Sequence, residues 1–576
     1  MSKIIYICAK RDLPVSVEKR LQDICKNLAP DNITLPAPRI VINGNIAYGV
    51  MNPASSLLEC GNSILIGQLF EKNVKWAESS QDFLDGSFAL FRHGNEYFTI
   101  VSDPAGSRTI WYYLDKEIFI SSTSQRAITM FIGSFEFDEK VIPWMLSTGS
   151  LGPYLSWDKR LKRVPPDSSV ILNKKEWSIS KRSNPIEFTS IEQSENQHEK
   201  MLRESLENTF GSLNLDFSSW ILPLSGGYDS RGILCLLRNT IENIERLRTI
   251  TWGLESSLHV NRNDAYVAKK LASTLKVSHE YYHTDLSEEP IYKLINRFVL
   301  LGEGRVDHLP GYMDGFEIWR TLFEEGVQGV IRGDEGFGWY KVSSPLTTKY
   351  NVGCALCSDF RNLKNYKSFG FATQELPVNL LQKQGESLAT WRDRLYHEFR
   401  LPTILSSLSD LKLPYLELIN PFLSRKILQQ VRQLPDHLRT NKILFKKIVN
   451  SLCPKVAFAT HRAIASRKNI LKQKKIVSLL EQELSSKNAK SIFPTDFLNY
   501  IAKGIKIERQ AKTTKPDLFS LKASVKRIVP RSIKNAVRDS ASLPSVDHNI
   551  LAFRVFLISR MNAILKDDSA FSNYWR

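Results

Sequence analysis

Residues 224–231 read Leu-Ser-Gly-Gly-Tyr-Asp-Ser-Arg, and this stretch is the one that decides the fold. A strand-like run at residues 220–224 leads into it and a helical pattern follows from Gly232, so it forms a strand–loop–helix turn. Small residues let the backbone approach a ligand closely, and successive N–H groups at a helix N-terminus attract anions. The hydroxyls of Ser225 and Ser230 add donors. The stretch therefore predicts a phosphate-binding loop.

Asp229 is unexpected in an anion-binding loop, because its charge repels phosphate unless a divalent cation bridges the two. The loop lacks the Gly-Lys-Ser/Thr ending of a Walker loop and the glycine spacing of a dinucleotide-binding turn. It resembles instead the SGGxDS motif of PP-loop ATP pyrophosphatases, which cleave ATP between its α and β phosphates. That resemblance implies contacts with ATP from the following loop residues: Leu224, Ser225, Gly226, Gly227, Asp229 and Ser230.

Further sequence blocks follow the loop. They are residues 249–253 (TITWG) with 263–272, 330–340 (VIRGDEGFGWY), 417–423 (ELINPFL) and 442–446 (KILFK). In this order they resemble the blocks of asparagine synthetases, over approximately residues 200–470. The resemblance implies that the backbone of Trp252 and Gly253 packs against adenine. It also implies that Gly333 lies in the third-block loop and that Asp334 is a second magnesium ligand.

The resemblance implies an AMP-forming amide synthesis that uses ATP and Mg²⁺. Asp229 and Asp334 follow two different strands at their C-terminal ends, where open α/β sheets bind ligands. There they can share a magnesium ion that bridges the α and β phosphates of ATP while a carboxylate attacks the α-phosphorus. An amine then attacks the acyl-adenylate. Asp229 and Asp334 are therefore the predicted metal ligands and catalytic residues, with Glu335 as a third catalytic candidate.

Two positions depart from the family pattern. The family's proton acceptor, a Glu or Tyr, aligns with about Ile331, so that role is open here, with Glu335, Asp307 and His308 as candidates. The family's late lysine has no counterpart at the end of residues 454–462, where Arg462 offers a permanent positive charge instead. Arg462 is the fourth catalytic candidate.

The front of the chain reads as short strands with Asn/Gly turns. Residues 85–88 (DGSF), 103–108 (DPAGSR) and 111–113 (WYY) resemble the class II glutamine amidotransferase domain of asparagine synthetases. Active members begin Met-Cys, whereas this chain begins Met1-Ser2. In active members one segment binds the carboxylate of glutamine through a cation, and the matching residues 46–50 contain none. A second segment, Asn-Gly-Glu, binds the oxyanion, and the matching residues 66–69 lack that sequence. The resemblance therefore implies a degenerate front domain that hydrolyses no glutamine.

A synthetase that harvests no ammonia from glutamine needs another amine. β-Lactam synthetases and lasso-peptide cyclases resemble this pattern, since both combine a glutaminase-dead front domain with an intramolecular amine. The favoured interpretation is an ATP-dependent carbon–nitrogen ligase of the lasso-peptide macrolactam synthetase type. Its partners would be ATP, a carboxylate substrate in the form of a precursor peptide, and a protease or leader-binding protein.

The predicted fold class is α/β, and three regions are expected. Residues 1–188 form an α+β Ntn-hydrolase-like sandwich, the degenerate glutamine amidotransferase class II-like domain. Residues 200–470 form a parallel-sheet PP-loop synthetase domain, because strands alternate with helices. Residues 471–576 form a basic helical C-terminal extension, and a polar linker lies near residues 190–197.

Composition limits the remaining classes. Of 576 residues, 42% are hydrophobic and 24% charged, as in globular proteins, and no apolar run could span a bilayer. The seven scattered cysteines fit a reduced compartment, and a cytoplasmic location with no membrane partner is expected.

The formal charge is +18, concentrated at residues 441–540 with 23 Lys/Arg and 6 Asp/Glu. That region suits either a polyanion or solvated helix faces.

Three alternative functions remain open. One is an asparagine synthetase, or another small-molecule amidating enzyme, that uses ammonia. A second is an RNA-modifying PP-loop protein, which the basic charge favours. The amidotransferase-like front domain and the lack of a cysteine pair near the loop argue against a nucleic-acid partner. A third is a nucleotide-binding pseudoenzyme, which the departures near residues 331 and 462 favour.

Overall fold

The structure is a computed structural model, and it describes residues 3–53, 56–78, 83–241, 244–464, 466–508 and 543–571. The Met1-Ser2 start and most of the basic segment after residue 508 lie outside the described residues. In the part of the chain that is described, no helix is both long and apolar enough to cross a bilayer.

The front region is built from two six-stranded antiparallel sheets. The first has the order β10-β8-β9-β1-β3-β2 and the second β12-β11-β7-β6-β5-β4. The strands are β1 Lys3–Ala9, β2 Arg39–Asn43, β3 Ile46–Met51, β4 Leu57–Cys60, β5 Ser63–Leu69, β6 Gly86–His93, β7 Tyr97–Ser102, β8 Trp111–Leu114, β9 Ile118–Ser122, β10 Lys162–Arg163, β11 Ser168–Asn173 and β12 Ser178–Ser183.

The two front sheets pack face to face. Alternate side chains of each sheet point inward, as period-two patterns predict, and they form one apolar cluster. Tyr6 of β1 stacks on Phe98 of β7 with ring centroids 4.6 Å apart, which joins one sheet to the other. Helices Ser16–Leu28 and Gln125–Ile132 pack on the other face of the first sheet. The predicted front sandwich is confirmed.

The second region contains a five-stranded sheet in which every neighbouring pair is parallel, with the order β15-β14-β13-β16-β17. Its strands are β13 Trp220–Pro223, β14 Arg248–Gly253, β15 His279–His283, β16 Gly329–Ile331 and β17 Glu417–Ile419. Helices Tyr228–Thr240 and Asp264–Leu275 alternate with the strands, as right-handed crossovers require. The predicted α/β fold class, with a parallel sheet after the front sandwich, is therefore confirmed.

Among the described residues, those after β16 are mainly helical, and further helices lie before it. The remaining α-helices are Val141–Thr148, Glu195–Ser212, Ile291–Gly302, Glu317–Glu324, Pro345–Val352, Leu388–Leu395, Ser406–Asp410, Arg425–Arg432, Asp436–Arg439, Ile443–Leu452, Arg467–Ile470, Lys474–Leu484, Lys487–Ile492, Thr495–Gly504 and His548–Ala570. Shorter 3-10 helices are Ile244–Arg246, Glu255–His259, Leu309–Tyr312, Cys357–Asp359, Tyr366–Phe369, Val378–Leu380, Pro421–Leu423 and Thr440–Lys442, and Tyr396–Leu405 is a π-helix.

The last described helix, His548–Ala570, is buried rather than peripheral. It packs against the front region's helices Gln125–Ile132 and Val141–Thr148 and against the helices between residues 474 and 504. Arg126 of the front region pairs with its Asp568 at 2.8 Å, and both side chains are buried. The C-terminal extension is thus packed against the front region.

The front region also contacts the parallel sheet directly. Glu417, the first residue of β17, pairs with Arg108 and accepts a hydrogen bond from Ser56 at 2.8 Å, and all three residues are buried. Asp85 accepts hydrogen bonds from the hydroxyl of Ser424 at 2.6 Å and from the N–H of Arg425 at 2.8 Å. The front motifs that resemble a glutamine domain therefore hold β17 and the turn after it.

Candidate functional site

A cavity of about 380 Å³ lies beyond the C-terminal end of β16, between the parallel sheet and the π-helix. Three acidic and three basic side chains and a group of aromatic rings line it. The lining residues are Tyr228, Asp229, Gly333, Asp334, Glu335, Gly338, Trp339, Tyr340, Tyr396, Arg400, Leu405, Asn441, Lys442 and Lys446. Its volume is in the range of small-ligand sites. The cavity brings together the predicted residues Asp229, Gly333, Asp334 and Glu335.

The predicted phosphate loop has the strand–loop–helix geometry that its sequence indicated. Helix Tyr228–Thr240 begins directly after Gly227, so Asp229 lies in its first turn. The N–H of Ser225 donates to the hydroxyl of Ser230 at 2.9 Å. The N–H of Gly226 donates to a carboxylate oxygen of Asp264 at 3.1 Å. An internal carboxylate thus already accepts from one donor of the loop, a role for Asp264 that the motif comparison did not assign.

Lys442 connects two acidic side chains of the cavity. Its ammonium group lies 2.8 Å and 3.0 Å from the two carboxylate oxygens of Asp229 and 2.7 Å from Oε1 of Glu335. Burial, and then the charge of Asp229, raise the pKa of Glu335 to about 7, although Lys442 acts in the opposite direction. Burial alone would lower the pKa of Lys442, but Glu335 and Asp229 raise it above its usual value. The pair holds one positive charge and a carboxyl that titrates near neutrality.

Asp334 follows the end of β16 and faces the same cavity. Its carboxylate pairs with the guanidinium of Arg332 at 3.1 Å. Gly333 packs against the Asp229 backbone, since a Cβ there would lie 3.4 Å from Cβ of Asp229. Ile331, where the family places its proton acceptor, is fully buried in the core. Among the three proton-acceptor candidates, Glu335 is therefore the nearest in sequence to that missing group, and it lines the cavity.

Residues 454–464, here called the strap, lie across the predicted nucleotide loop and the end of β14. The N–H of Ala459 donates to the carbonyl of Gly226 at 3.0 Å, and the carbonyl of Ala463 accepts from the N–H of Leu254 at 2.9 Å. A Cβ at Gly226 would lie 2.3 Å from Cβ of Ala459, and one at Gly253 would lie 2.4 Å from Cβ of Ala463. The strap thus covers the strand end that was predicted to contact adenine.

The strap is anchored to the helix that follows the loop. Arg231 donates to the carbonyl of Val456 at 2.7 Å, and its guanidinium lies 3.9 Å from the ring centroid of Phe458. Phe458 also stacks on Tyr228 with centroids 3.9 Å apart. At the start of the strap, Cys453 forms a disulfide with Cys235 of the same helix, with Cα atoms 5.8 Å apart. Scattered cysteine spacing had indicated only reduced thiols, because a pair 218 residues apart leaves no local signal.

Eight predicted site residues do not line the cavity: Leu224, Ser225, Gly226, Gly227, Ser230, Trp252, Gly253 and Arg462. Arg462 belongs to the strap, where its carbonyl accepts from Asn263 at 3.0 Å and its side chain is exposed. Trp252, at the end of β14, packs edge-on against Trp319 with centroids 5.6 Å apart. Their assigned roles toward nucleotide remain predictions.

The other proton-acceptor candidates have different surroundings. Asp307 is fully buried and pairs with Arg467 at 2.5 Å and with Arg554 at 2.7 Å. Burial alone would raise the pKa of Asp307, but the two arginines hold it below its usual range. Its neighbour His308 lies 3.4 Å from it. Neither residue lines the cavity, and Asp307 serves as an anchor for the helix His548–Ala570.

The fit of a magnesium ion can be judged from the donor set. Asp229 and Asp334 present two carboxylates to one cavity, and oxygen donors are those that Mg²⁺ prefers. No cluster of three or more His, Cys, Asp or Glu residues that could hold a metal occurs within the described ranges. Mg²⁺ commonly takes its remaining ligands from phosphate oxygens and water, so the two aspartates fit a metal that arrives with a nucleotide.

Comparisons with known proteins identify no family. No family model matches the chain, and no curated protein matches it. The chain is similar to the solved structure of glutamine phosphoribosylpyrophosphate amidotransferase from B. subtilis complexed with ADP and GMP, at 11% identity and a TM-score of 0.21, over 48% of this chain and 65% of that one. It is also similar to the allosteric regulatory enzyme of purine biosynthesis, at 10% identity and a TM-score of 0.22, over 49% and 80%. The chain thus spans somewhat under two thirds of the first of these proteins.

Proposed function

We propose that this protein is an ATP-dependent ligase that joins a carboxylate to an amine and releases AMP and pyrophosphate. One observation carries the proposal: Asp229, the aspartate of the SGGxDS motif, and Asp334, after β16, line the same cavity. This is the pairing that two magnesium-binding aspartates of such a ligase require. The resemblance of the surrounding blocks to asparagine synthetases supports the same chemistry.

The proposed reaction has two steps. A carboxylate oxygen of the substrate forms a bond to the α-phosphorus of ATP, and the bond between that phosphorus and the bridging oxygen breaks, which releases pyrophosphate. The amine nitrogen then forms a bond to the acyl carbon, and AMP leaves with the bonding electrons. Magnesium, held by Asp229 and Asp334, would neutralise phosphate charge in the first step. Lys442 would hold Asp229 in place through their ion pair and would keep a positive charge in the cavity beside Asp229.

Glu335 suits the proton transfer of the second step. The attacking amine loses a proton, and a general base works best when its pKa lies near the working pH. The pKa of Glu335 is about 7, and its side chain lines the cavity. Glu335 therefore takes the proton-acceptor role that Ile331 cannot fill.

The substrate is proposed to be a peptide or small molecule that carries its own amine. The front region keeps its sheets, but the strand segments 46–50, which is buried, and 66–69, which is buried or half-buried, lack the glutamine-binding residues. A lasso-type macrolactam synthetase acting on a precursor peptide is the particular form that this supports. A cytoplasmic location remains part of the proposal.

The strap favours one alternative, a nucleotide-binding pseudoenzyme or regulatory subunit. Ala459 contacts Gly226 and Ala463 contacts Gly253, at two positions where ATP would be expected. A protein in which the strap never leaves would form no adenylate.

The test is release of AMP and pyrophosphate from ATP with aspartate and ammonia, with glutamine, and with precursor-type peptides that contain Asp or Glu. AMP release that depends on a carboxylate substrate and magnesium, and not on glutamine, is the expected result. ATP binding without turnover on any of these substrates would contradict the ligase and support the pseudoenzyme.

A further inference from the structure

Arg400 is a lining residue of the cavity that the proposed reaction does not use. It lies in the π-helix Tyr396–Leu405, and its side chain is half-buried. Its Nη1 donates to the carbonyl of Val352 at 2.9 Å. Its Nε is buried, so a ligand cannot reach that atom. Its Nη2 donates no hydrogen bond to the described residues and is not among the buried unpaired atoms, so a ligand would bind at the terminal nitrogens.

Arg400 differs from the other arginines of this part of the fold. Each of the following pairs joins a largely buried arginine to a carboxylate: Arg332–Asp334, Arg392–Asp393, Arg394–Glu386 and Arg439–Asp393. Within the described residues, Arg400 has no carboxylate at ion-pair distance. The Nη2 end of its guanidinium is thus available to an anion from outside the chain.

Aromatic rings hold the guanidinium in place. Its carbon lies 5.4 Å from the ring centroid of Trp339 and 5.9 Å from that of Tyr396. The two rings are themselves 5.0 Å apart, and both line the cavity. Stacking on aromatic faces orients the planar fork of an arginine, which then matches a carboxylate with two hydrogen bonds. The rings also offer an apolar wall to the rest of a ligand.

This wall belongs to the same cavity as the acidic residues. Burial, and then the charge of Glu335, raise the pKa of Tyr396 well above its usual value, whereas Arg400 acts in the opposite direction. Tyr396 therefore lies close enough to both Glu335 and Arg400 for their charges to affect it. A cavity of about 380 Å³ holds one or two residues of a substrate.

We propose that Arg400, stacked on Trp339 and Tyr396, binds a second carboxylate of the acyl substrate, one that is not activated. The substrate class is then a dicarboxylate beside an apolar group, such as a peptide that ends in an acidic residue. This inference rests on the proposed ligase function, because only that reaction distinguishes an activated carboxylate from a second one. The binding of the second carboxylate does not itself require ATP.

The test uses two synthetic probes that differ by one carboxylate: N-acetyl-phenylalanyl-aspartate and its C-terminal amide. Their dissociation constants are measured by calorimetry on the whole protein without ATP. The unmodified protein should bind the free acid about tenfold or more tightly than the amide, because a charge-assisted bidentate pair is lost in the amide. Equal affinities, or no binding of either probe, would overturn the proposal.

Variants assign the preference to Arg400. Arg400→Gln should bind both probes equally, and Arg400→Lys should keep only part of the preference, because it retains charge without the planar fork. The matched control is Arg361→Gln, an exposed arginine outside the cavity, which should keep the full preference. A preference that survives in a folded Arg400→Gln protein would contradict the assignment.

A further variant separates this inference from the proposed function. Asp334→Ala should lose AMP formation and still prefer the free acid. If the probe preference depends on Arg400 while no substrate gives AMP, the anion subsite stands and the ligase proposal fails. If AMP forms on monocarboxylates as readily as on dicarboxylates, the ligase stands and the subsite fails.

Discussion

The ammonium group of Lys442 lies 2.8 Å and 3.0 Å from the two carboxylate oxygens of Asp229. Both oxygens of a predicted metal ligand therefore already interact with a fixed cation. Because Lys442 also reaches Glu335, the same side chain links the predicted metal site to the predicted base. A change at Lys442 should therefore affect both steps of the proposed reaction.

Asp229→Ala and Asp334→Ala should each lower pyrophosphate release by about a hundredfold or more, since each removes a ligand of the proposed magnesium ion. The fold should survive, because both residues line an open cavity rather than the core. Pyrophosphate release and circular dichroism are measured side by side. A folded variant with unchanged release would refute the magnesium assignment.

The rate of the amine step should rise with pH through about 7, because Glu335 must be deprotonated to accept a proton and its pKa is about 7. Glu335→Gln should remove this acidic limb and slow the step about a hundredfold. The measurement is a pH–rate profile from pH 5.5 to 8.5. A profile of the same shape in Glu335→Gln would assign the limb to another group.

Lys442→Met should move the acidic limb to higher pH, because Lys442 lowers the pKa of Glu335 in the intact site. The control is Lys447→Met. Lys447 lies in helix Ile443–Leu452, which begins directly after Lys442, and it pairs with Glu195 and Glu199 at the surface. The control should leave the profile in place. A limb that moves to lower pH in Lys442→Met would contradict the coupling.

Gly253→Ala should displace the strap, since its Cβ would lie 2.4 Å from Cβ of Ala463 and 2.6 Å from the hydroxyl of Tyr281. Trypsin should then cleave faster at Lys455 or Arg462, the exposed basic residues of the strap. Gly211→Ala serves as the control because nothing lies within 4 Å of its Cβ position. Cleavage at the same rate in both variants would show that the strap tolerates the added carbon.

Asp307→Asn should lower the free energy of unfolding by about 3–5 kcal/mol, because it leaves the buried Arg554 without its anion. The folded-state pKa of Asp307 lies below its usual range, so this stabilisation is present above about pH 4 and is lost as pH falls further. Urea unfolding at pH 7 and pH 3 measures both effects. Asp12→Asn, at an exposed site, should change neither.

The sequence predicts those features that depend on local pattern. Period-two alternation marks the front strands, and the switch to alternating strands and helices after residue 200 marks the parallel sheet. The loop at 224–231 falls at a strand–helix junction in the structure, as its small residues indicated. Asp229 and Asp334 meet because the ends of neighbouring parallel strands share one edge of a sheet.

Features that depend on distant contacts were not predictable from one sequence. Nothing in the strap's own composition indicates that Ala459 and Ala463 lie on Gly226 and Gly253. The π-helix that carries Arg400 has no periodic signal, and Pro402 inside it argues against a helix. Such contacts follow from how whole elements pack, which periodicity does not encode.

The ion pair of Arg108 with Glu417 and the hydrogen bond from Ser56 to Glu417 constrain how the sequence of this protein can evolve. Glu417 begins β17, and β17 pairs with β16, the strand that ends just before Asp334. The front region therefore helps to position the wall of the cavity. Natural selection on the cavity then also acts on Arg108 and Ser56, so the front region would be retained for the alignment that it provides.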